Sequence, residues 1–221
     1  MPSNYGAKWK QRDLIGEDRA INYLAEIPFC DLRAHEIVLD SVPEQSVVHL
    51  GNSTVIRYSQ LFNPVQGITY HSNRGTSGID GSLSTAVGAA LADPDHLHVA
   101  IIGDVSFFYD SNFMWLNYRL PNLRVVLVNN GGGAIFNFIP GPRSSKQNSQ
   151  YFEAKHPFSA EHLCKAYGVE HLSVSDELEL ERAMDHFFDY NPEATIKLIE
   201  INTKEIQNHL FLDGFFKAVK N

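Results

Sequence analysis

The sequence predicts an α/β fold, in which helices cover both faces of a mainly parallel sheet. Short apolar runs rich in Val and Ile alternate with longer amphipathic segments along most of the 221 residues. Continuous apolar runs are typical of strands buried on both faces, and their alternation with helices is typical of parallel sheets. The composition, 43% hydrophobic and 20% charged, is close to that of an average globular chain.

Each element follows from its pattern. The predicted strands are Ser46–Leu50, His96–Gly103, Arg124–Asn129 and Ala194–Ile201, with weaker ones at Gly67–His71 and Val169–Leu172. The predicted helices are Asp31–Ser41, Ser53–Leu61, Ser82–Ala92, Phe107–Arg119, Ser159–Tyr167, Asp176–Tyr190 and Lys204–Ala218. Residues 1–30 fit the alternation less well, and we interpret them as a lead-in or linker segment before a domain at 31–221. The polar run Arg143–Ser149 is predicted to be a mobile loop.

Charge and apolar content exclude several classes of partner. The net charge is −8, and the basic residues are scattered along the chain. Nucleic acids and anionic membranes require clustered Lys and Arg, so we expect neither as a partner. No stretch approaches the ~18 apolar residues of a membrane helix, and the N-terminus lacks the apolar region of a signal peptide. We therefore expect a cytoplasmic protein without membrane insertion.

The cysteines and one histidine pair have ordinary interpretations. Cys30 and Cys164 lie far apart and have no Cys or His at metal-ligand spacing, so we expect buried, reduced thiols. His96 and His98 flank Leu97 and could supply two metal ligands, although a surface or pre-strand role is favoured.

Polar residues follow two predicted strands, at the edge where parallel sheets bind ligands. Asp104 ends one strand, and Asn130 follows the next. Adjacent strands would place the carboxylate beside the amide oxygen, and Mg²⁺ prefers such oxygen ligands together with phosphate and water. The pair therefore fits a site for Mg²⁺ and a diphosphate. The alternative is that Asp104 caps a helix and Asn130 forms a turn.

A glycine-rich segment, Asn73–Ser82, precedes a helix of small residues. Its glycines would let backbone N–H groups approach an anion, and the helix start adds partial positive charge. The segment lacks both the GxGxxG spacing of dinucleotide folds and the GxxxxGK[ST] spacing of phosphate loops, so neither is predicted.

Gly-Asp followed by Asn-Asn with glycines behind it is the signature of thiamine diphosphate enzymes. Four blocks closely resemble one branch of them, the MenD family of 2-succinyl-5-enolpyruvyl-6-hydroxy-3-cyclohexene-1-carboxylate (SEPHCHC) synthases: GNSTVIR, SNRGTSGIDGSLSTAVGAA, GDVSFFYDSN and NNGGGAIFNFIP. The resemblance covers roughly residues 49–142 and implies the thiamine diphosphate-binding fold. Val105 departs from the general Gly-Asp-Gly pattern, as an aliphatic residue does in close relatives.

The resemblance implies a role for each matching residue. Asp104, the Asn130 side chain and the backbone carbonyl of Gly132 would ligate Mg²⁺ or Mn²⁺. Four residues would contact thiamine diphosphate: Ser106 and Gly131 at the diphosphate, and Ile135 and Phe136 at the walls of the pocket. Three would bind substrate: Ser53, Arg57 and Arg74.

The implied activity is that of a transferase in menaquinone biosynthesis. MenD enzymes decarboxylate 2-oxoglutarate and add the resulting succinyl-carbanion equivalent to isochorismate. Both substrates are dicarboxylates, which Arg57 and Arg74 suit because a guanidinium binds a carboxylate with two hydrogen bonds. Another thiamine diphosphate 2-oxoacid decarboxylase, an acetohydroxyacid synthase-like domain and a non-catalytic cofactor-binding module are the alternatives.

The resemblance also implies partner domains. Family members activate the cofactor with a Glu on a separate pyrimidine-binding domain, and nothing in this sequence matches that domain. We therefore expect no catalytic residue on this chain and no activity from it alone. It would be the C-terminal domain of a longer homo-oligomer, a dimer or tetramer, whose pyrimidine-binding and central domains are absent here.

Overall fold

The computed structural model describes residues 4–116 and 118–220. The first three positions of the predicted lead-in segment, position 117 of the predicted helix Phe107–Arg119 and the last residue lie outside these ranges. The strands are β1 Val47–Leu50, β2 Thr69–His71, β3 His98–Gly103, β4 Leu123–Asn129, β5 Glu170–Val174 and β6 Lys197–Asn202. The α-helices are α1 Tyr5–Glu26, α2 Asp31–Ser41, α3 Thr54–Ser59, α4 Ser82–Ala92, α5 Asp104–Tyr109, α6 Glu161–Tyr167, α7 Glu177–Phe187 and α8 Asn208–Lys220.

The described strands form one six-stranded sheet in the order β2-β1-β3-β4-β6-β5, and every pairing is parallel. Alternate β3 residues point to opposite faces, as the pleat requires. Val99 and Ile101 pack with α2, α3 and α7, whereas Ala100 and Ile102 pack with α4, α5 and α6. The predicted α/β fold is confirmed, and its core lies on both faces of the sheet.

The segment interpreted as a lead-in forms a 22-residue helix, α1, that packs against α8. The Tyr23 hydroxyl donates to the Phe211 carbonyl at 2.9 Å, and Arg12 donates to the Lys220 carbonyl at 2.6 Å. Leu24 is the one residue of α1 that is buried. Because a helix with so small a buried face needs few apolar residues at helical spacing, the sequence pattern of α1 is weak. None of the described helices is long and apolar enough to cross a membrane.

One local prediction is wrong. The predicted helix Phe107–Arg119 begins instead at Asp104 and ends at Tyr109, and a 3₁₀ turn, Ser111–Trp115, follows. The helix ends there because of Asp110. Its buried carboxylate accepts hydrogen bonds from the backbone N–H and the hydroxyl of Ser84 at the start of α4. The segment 143–149, predicted as a mobile loop, contributes to two short helical turns, Pro142–Ser144 and Asn148–Phe152.

Candidate functional site

The carboxyl ends of β3 and β4 bring the predicted metal residues to one edge of the sheet. Gly103 of β3 pairs in register with Val128 of β4, so both strands end at the same level. Asp104 follows directly as the first residue of α5, and Asn130 follows β4. This is the edge at which parallel sheets bind their ligands.

Asp104 is held against the glycine turn that follows β4. Its Oδ2 accepts hydrogen bonds from the backbone N–H groups of Gly131 and Gly132 at 2.7 and 2.9 Å. The backbone of Gly132 has φ +151°, and a Cβ there would collide with the Glu153 carbonyl oxygen. Glycine is therefore required for this turn to lie under Glu153 and reach the carboxylate.

Asn130 presents an unsatisfied acceptor at the same place. Its Nδ2 donates to Asp31 Oδ2 at 2.7 Å, whereas its Oδ1 is buried and has no hydrogen-bond partner. A buried polar atom without a partner costs free energy, and a bound cation would remove that cost. Together with the Asp104 carboxylate and the Gly132 carbonyl, it makes an all-oxygen donor set that fits Mg²⁺ or Mn²⁺.

Asp31 is a further site residue that no sequence pattern predicts. Its carboxylate is fully buried and accepts hydrogen bonds from Asn130 Nδ2 and from Thr203 Oγ1, the latter at 2.5 Å. Burial raises the pKa of Asp31 to about 6, although these hydrogen bonds offset part of the rise. Asp31 lies 99 residues before Asn130, so no local sequence signal links the two.

A second missed element is the covering segment, residues 153–158, which lies over the glycine turn. The Gly133 N–H donates to the Glu153 carbonyl at 2.5 Å, and the His156 N–H donates to the Gly131 carbonyl at 3.0 Å. The ring of His156 stacks on Phe158, and its Nε2 lies 3.3 Å from Asp104 Oδ2. The glycine turn, this segment and residues 204–209 line a cavity of about 830 Å³, large enough for a cofactor.

The predicted cofactor contacts lie around the same turn. Ser106 is buried in α5, and its hydroxyl donates to the Ile79 carbonyl, which ties the glycine-rich segment to the site. Ile135 and Phe136 belong to the 3₁₀ turn that follows Gly133. The start of α4, which we expected to contribute to an anion site, already donates the Ser84 N–H to Asp110 at 2.8 Å.

The predicted substrate residues meet at the turn after β1. Ser53 has φ +73°, an unfavourable conformation for a residue with a side chain. Its carbonyl accepts a hydrogen bond from Arg57 Nη1 at 2.5 Å. The neighbouring Asn52, which is not among the predicted substrate residues, is buried and accepts a hydrogen bond from Arg74 Nη1 at 2.8 Å. One turn therefore holds both guanidinium groups.

Comparison with known proteins identifies the domain. A family model, the C-terminal TPP binding domain of thiamine pyrophosphate enzymes, matches residues 50–199. The chain belongs to this family. The match includes all the predicted metal, cofactor and substrate residues, and it confirms the fold that the four sequence blocks implied.

Individual relatives of this thiamine pyrophosphate enzyme domain are similar over nearly the whole chain. The protein from Christiangramia forsetii is 41% identical over 212 residues, 95% of this chain and 36% of its own length. That from Flavobacterium psychrophilum is 39% identical over 98% of this chain and 39% of its own length. Both carry the name 2-succinyl-5-enolpyruvyl-6-hydroxy-3-cyclohexene-1-carboxylate synthase. The chain thus spans less than two fifths of their length.

The remaining candidates of the thiamine pyrophosphate enzyme domain form no second site. His96 pairs with Asp93, and His98 hydrogen-bonds His49 at 3.0 Å. Within the described ranges, no group of three or more His, Cys, Asp or Glu side chains could hold a metal. Cys30 and Cys164 are free and buried as predicted, and burial raises the pKa of their thiols to about 11 and about 12.

Proposed function

We propose that this chain is the diphosphate- and metal-binding domain of a SEPHCHC synthase. The whole protein would decarboxylate 2-oxoglutarate and transfer the remaining four-carbon unit to isochorismate in menaquinone biosynthesis. The single observation that carries this proposal is the buried, unpartnered Oδ1 of Asn130 beside Asp104, within a domain matched to the thiamine pyrophosphate enzymes. The names of the relatives support the choice of reaction.

The metal ligands in this proposal are Asp104, Asn130 Oδ1 and the Gly132 carbonyl. A divalent cation is needed here because the chain carries a net charge of −8, whose field disfavours a bound diphosphate. Mg²⁺ and Mn²⁺ both accept carboxylate, amide and carbonyl oxygens. The Gly132 carbonyl accepts one hydrogen bond, from the Ala134 N–H at 2.9 Å, and keeps a second lone pair for the metal.

The cofactor would lie beside the glycine turn, where Gly131 also lines the cavity. Ser106 and the backbone of Gly131 would bind its diphosphate, while Ile135 and Phe136 would pack against its rings and exclude water. Bound thiamine diphosphate supplies the electron sink that makes decarboxylation of a 2-oxo acid possible. The residues of this chain bind and orient, and we assign none of them a proton-transfer role.

The substrate carboxylates would bind Arg57 and Arg74, with the Ser53 hydroxyl beside them. Both arginines are exposed, and among the described residues neither forms an ion pair with a carboxylate. Their hydrogen bonds go to the neutral oxygens of Ser53 and Asn52. Their charge is therefore available to a dicarboxylate, which a guanidinium binds with paired hydrogen bonds.

The activating Glu would come from a pyrimidine-binding domain of the same protein or of a neighbouring subunit in a homo-oligomer. The family match covers the C-terminal domain alone, and the relatives are more than twice as long as this chain. The two free thiols suit a reducing compartment, and we propose the cytoplasm.

A chimaeric protein tests this function. This chain would replace the matching domain of the Christiangramia forsetii relative, and product formation from 2-oxoglutarate and isochorismate would be measured. Arg57→Ala and Arg74→Ala should each weaken dicarboxylate use by about 2–5 kcal/mol, because a bound carboxylate loses its partner. Arg119→Ala is the control, since its exposed side chain forms an ion pair with Glu193, far from the turn after β1 in sequence.

Three results would contradict the proposal. A folded chimaera that prefers pyruvate would indicate an acetohydroxyacid synthase-like enzyme or another decarboxylase. A folded chimaera that binds the cofactor without turnover would indicate a non-catalytic module. Arginine variants that match Arg119→Ala would remove the substrate assignment.

A further inference from the structure

We propose that Asp31 is a positioning residue that orients the Asn130 side-chain amide, so that Oδ1 and not Nδ2 faces the metal site. This inference rests on the proposed function, because it deepens the role of Asn130 as a metal ligand. Residues 50–199 matched by the family model exclude Asp31. Its assignment comes from the contacts alone.

The hydrogen-bond chemistry permits one orientation of the amide. Asp31 Oδ2 accepts from Asn130 Nδ2 at 2.7 Å. An ionised carboxylate only accepts hydrogen bonds, so a flipped amide would place its oxygen against a second acceptor and lose the bond. The two ends of an Asn amide are nearly identical in shape, so the partner decides which end points where. With Nδ2 held by Asp31, Oδ1 is the buried atom left without a partner.

Asp31 is itself held in place from three sides. It is the first residue of α2, and its backbone N–H donates to Asn208 Oδ1 of α8 at 2.8 Å. Its other carboxylate oxygen accepts from Thr203 Oγ1, just after β6, at 2.5 Å. The side chain is fully buried, so it cannot turn toward solvent. Both carboxylate oxygens are therefore engaged, and Asn130 meets a fixed acceptor.

Burying a carboxylate is costly, and this cost argues for a role beyond packing. The Asp104 carboxylate lies at the same sheet edge, where the glycine turn directly after Asn130 donates to it. Two acidic groups at one sheet edge repel each other in the absence of a cation. A divalent ion at Asp104 and Asn130 Oδ1 would reduce this repulsion, so the pair of carboxylates suits a cation site.

The test exchanges the two side chains. With Thr203 Oγ1 still donating to the side-chain oxygen of residue 31, Asp31→Asn turns an NH₂ group toward Asn130, so the Asn130 amide should flip and Mn²⁺ affinity should fall about tenfold. Asn130→Asp alone places two carboxylates face to face and should lower thermal stability in the absence of metal. The double variant Asp31→Asn/Asn130→Asp restores a donor facing an acceptor and leaves a carboxylate oxygen toward the metal. Its Mn²⁺ affinity should recover to within about threefold of the original.

The measurement is a Mn²⁺ titration of the full 221-residue chain in the presence of thiamine diphosphate. Electron paramagnetic resonance detects the free and bound Mn²⁺. The control is Asp110→Asn, because Asp110 is also a buried carboxylate with two hydrogen bonds but does not contact Asn130. It should lower thermal stability and leave Mn²⁺ affinity unchanged. Recovery in the double variant supports the positioning role, since a merely structural Asp31 would not be rescued by a change at Asn130.

Failure of this inference is distinguishable from failure of the proposed function. If the double variant binds Mn²⁺ no better than Asp31→Asn, the positioning role is overturned while the metal site stands. If the unmodified chain binds no Mn²⁺, the metal assignment fails. Thermal unfolding without metal then tests whether the side chains of Asp31 and Asn130 are hydrogen-bond partners. If each single variant is destabilised and the double variant regains its thermal stability, the hydrogen bond between the two side chains is supported. If the losses of stability in the two single variants simply add in the double variant, that hydrogen bond is overturned.

Discussion

The side-chain oxygen of Asn52 accepts a hydrogen bond from the Arg74 guanidinium at 2.8 Å, while the Asn52 amide donates to the carbonyls of Asn73 and Gly78 at 2.9 and 2.6 Å. One buried side chain thus holds both ends of the loop that presents Arg74. The next residue, Ser53, accepts the hydrogen bond from Arg57. Asn52 therefore links the two arginines proposed to bind substrate carboxylates.

Asn52→Ala should lower the free energy of unfolding by about 1–3 kcal/mol, because three partly buried hydrogen bonds are lost. It should also speed tryptic cleavage after Arg74, since the loop loses its anchor. Urea unfolding and timed proteolysis measure the two effects. Asn63→Ala is the matched control, because the Asn63 side chain hydrogen-bonds Glu17 at the exposed surface. Equal behaviour of the two variants would show that Asn52 does not anchor the loop.

Gly132→Ala should disrupt the cofactor turn. The backbone of Gly132 has φ +151°, and a Cβ would collide with the Glu153 carbonyl. We expect a loss of about 1–3 kcal/mol of unfolding free energy and a large loss of Mg²⁺-dependent thiamine diphosphate affinity, measured by calorimetry.

Gly88→Ala is the control for that variant. Gly88 lies inside α4, and nothing is within 4 Å of a Cβ at this position. Alanine there should stabilise the protein by about 0.5–1 kcal/mol, because it favours the helix. A Gly132→Ala protein that matched Gly88→Ala in stability and cofactor affinity would contradict the described turn.

Glu200 predicts an acid limit to stability. Burial alone would raise its pKa, but hydrogen bonds from His171, Ser159, Asn129 and the Ala160 N–H lower it to about 2. The folded-state pKa thus lies below the ordinary Glu value of 4.5, so Glu200 contributes stability that is fully present above about pH 4.5 and is lost as the pH falls toward 2. Urea unfolding between pH 6 and pH 2 measures this loss.

Glu200→Gln should flatten that pH dependence and destabilise the protein at neutral pH by a few kcal/mol, because the remaining amide cannot accept all four hydrogen bonds. Glu161→Gln, at an exposed position of α6, should leave the curve unchanged. A Glu200→Gln protein with the same acid transition as the unmodified chain would contradict the assignment.

How far the sequence predicts this structure depends on the distance that each contact spans. Asp104 and Asn130 could be paired from the sequence because each directly follows a strand, and adjacent parallel strands end together. Asp31 and Glu200 could not, because their contacts to Asn130 and Asn129 join residues 99 and 71 positions apart and depend on how α2 and β6 pack. The end of α5 was mispredicted because the aromatic spacing around Phe113 continues a helical pattern that Asp110 interrupts.

The most direct test of the central claim is calorimetric titration of thiamine diphosphate into the chimaeric protein, with Mg²⁺ and then with a chelator. Binding is expected only with the divalent ion, and Asp104→Ala should abolish it because the carboxylate ligand is gone. Equal affinity with the chelator, or in the Asp104→Ala protein, would contradict the metal and diphosphate site described here.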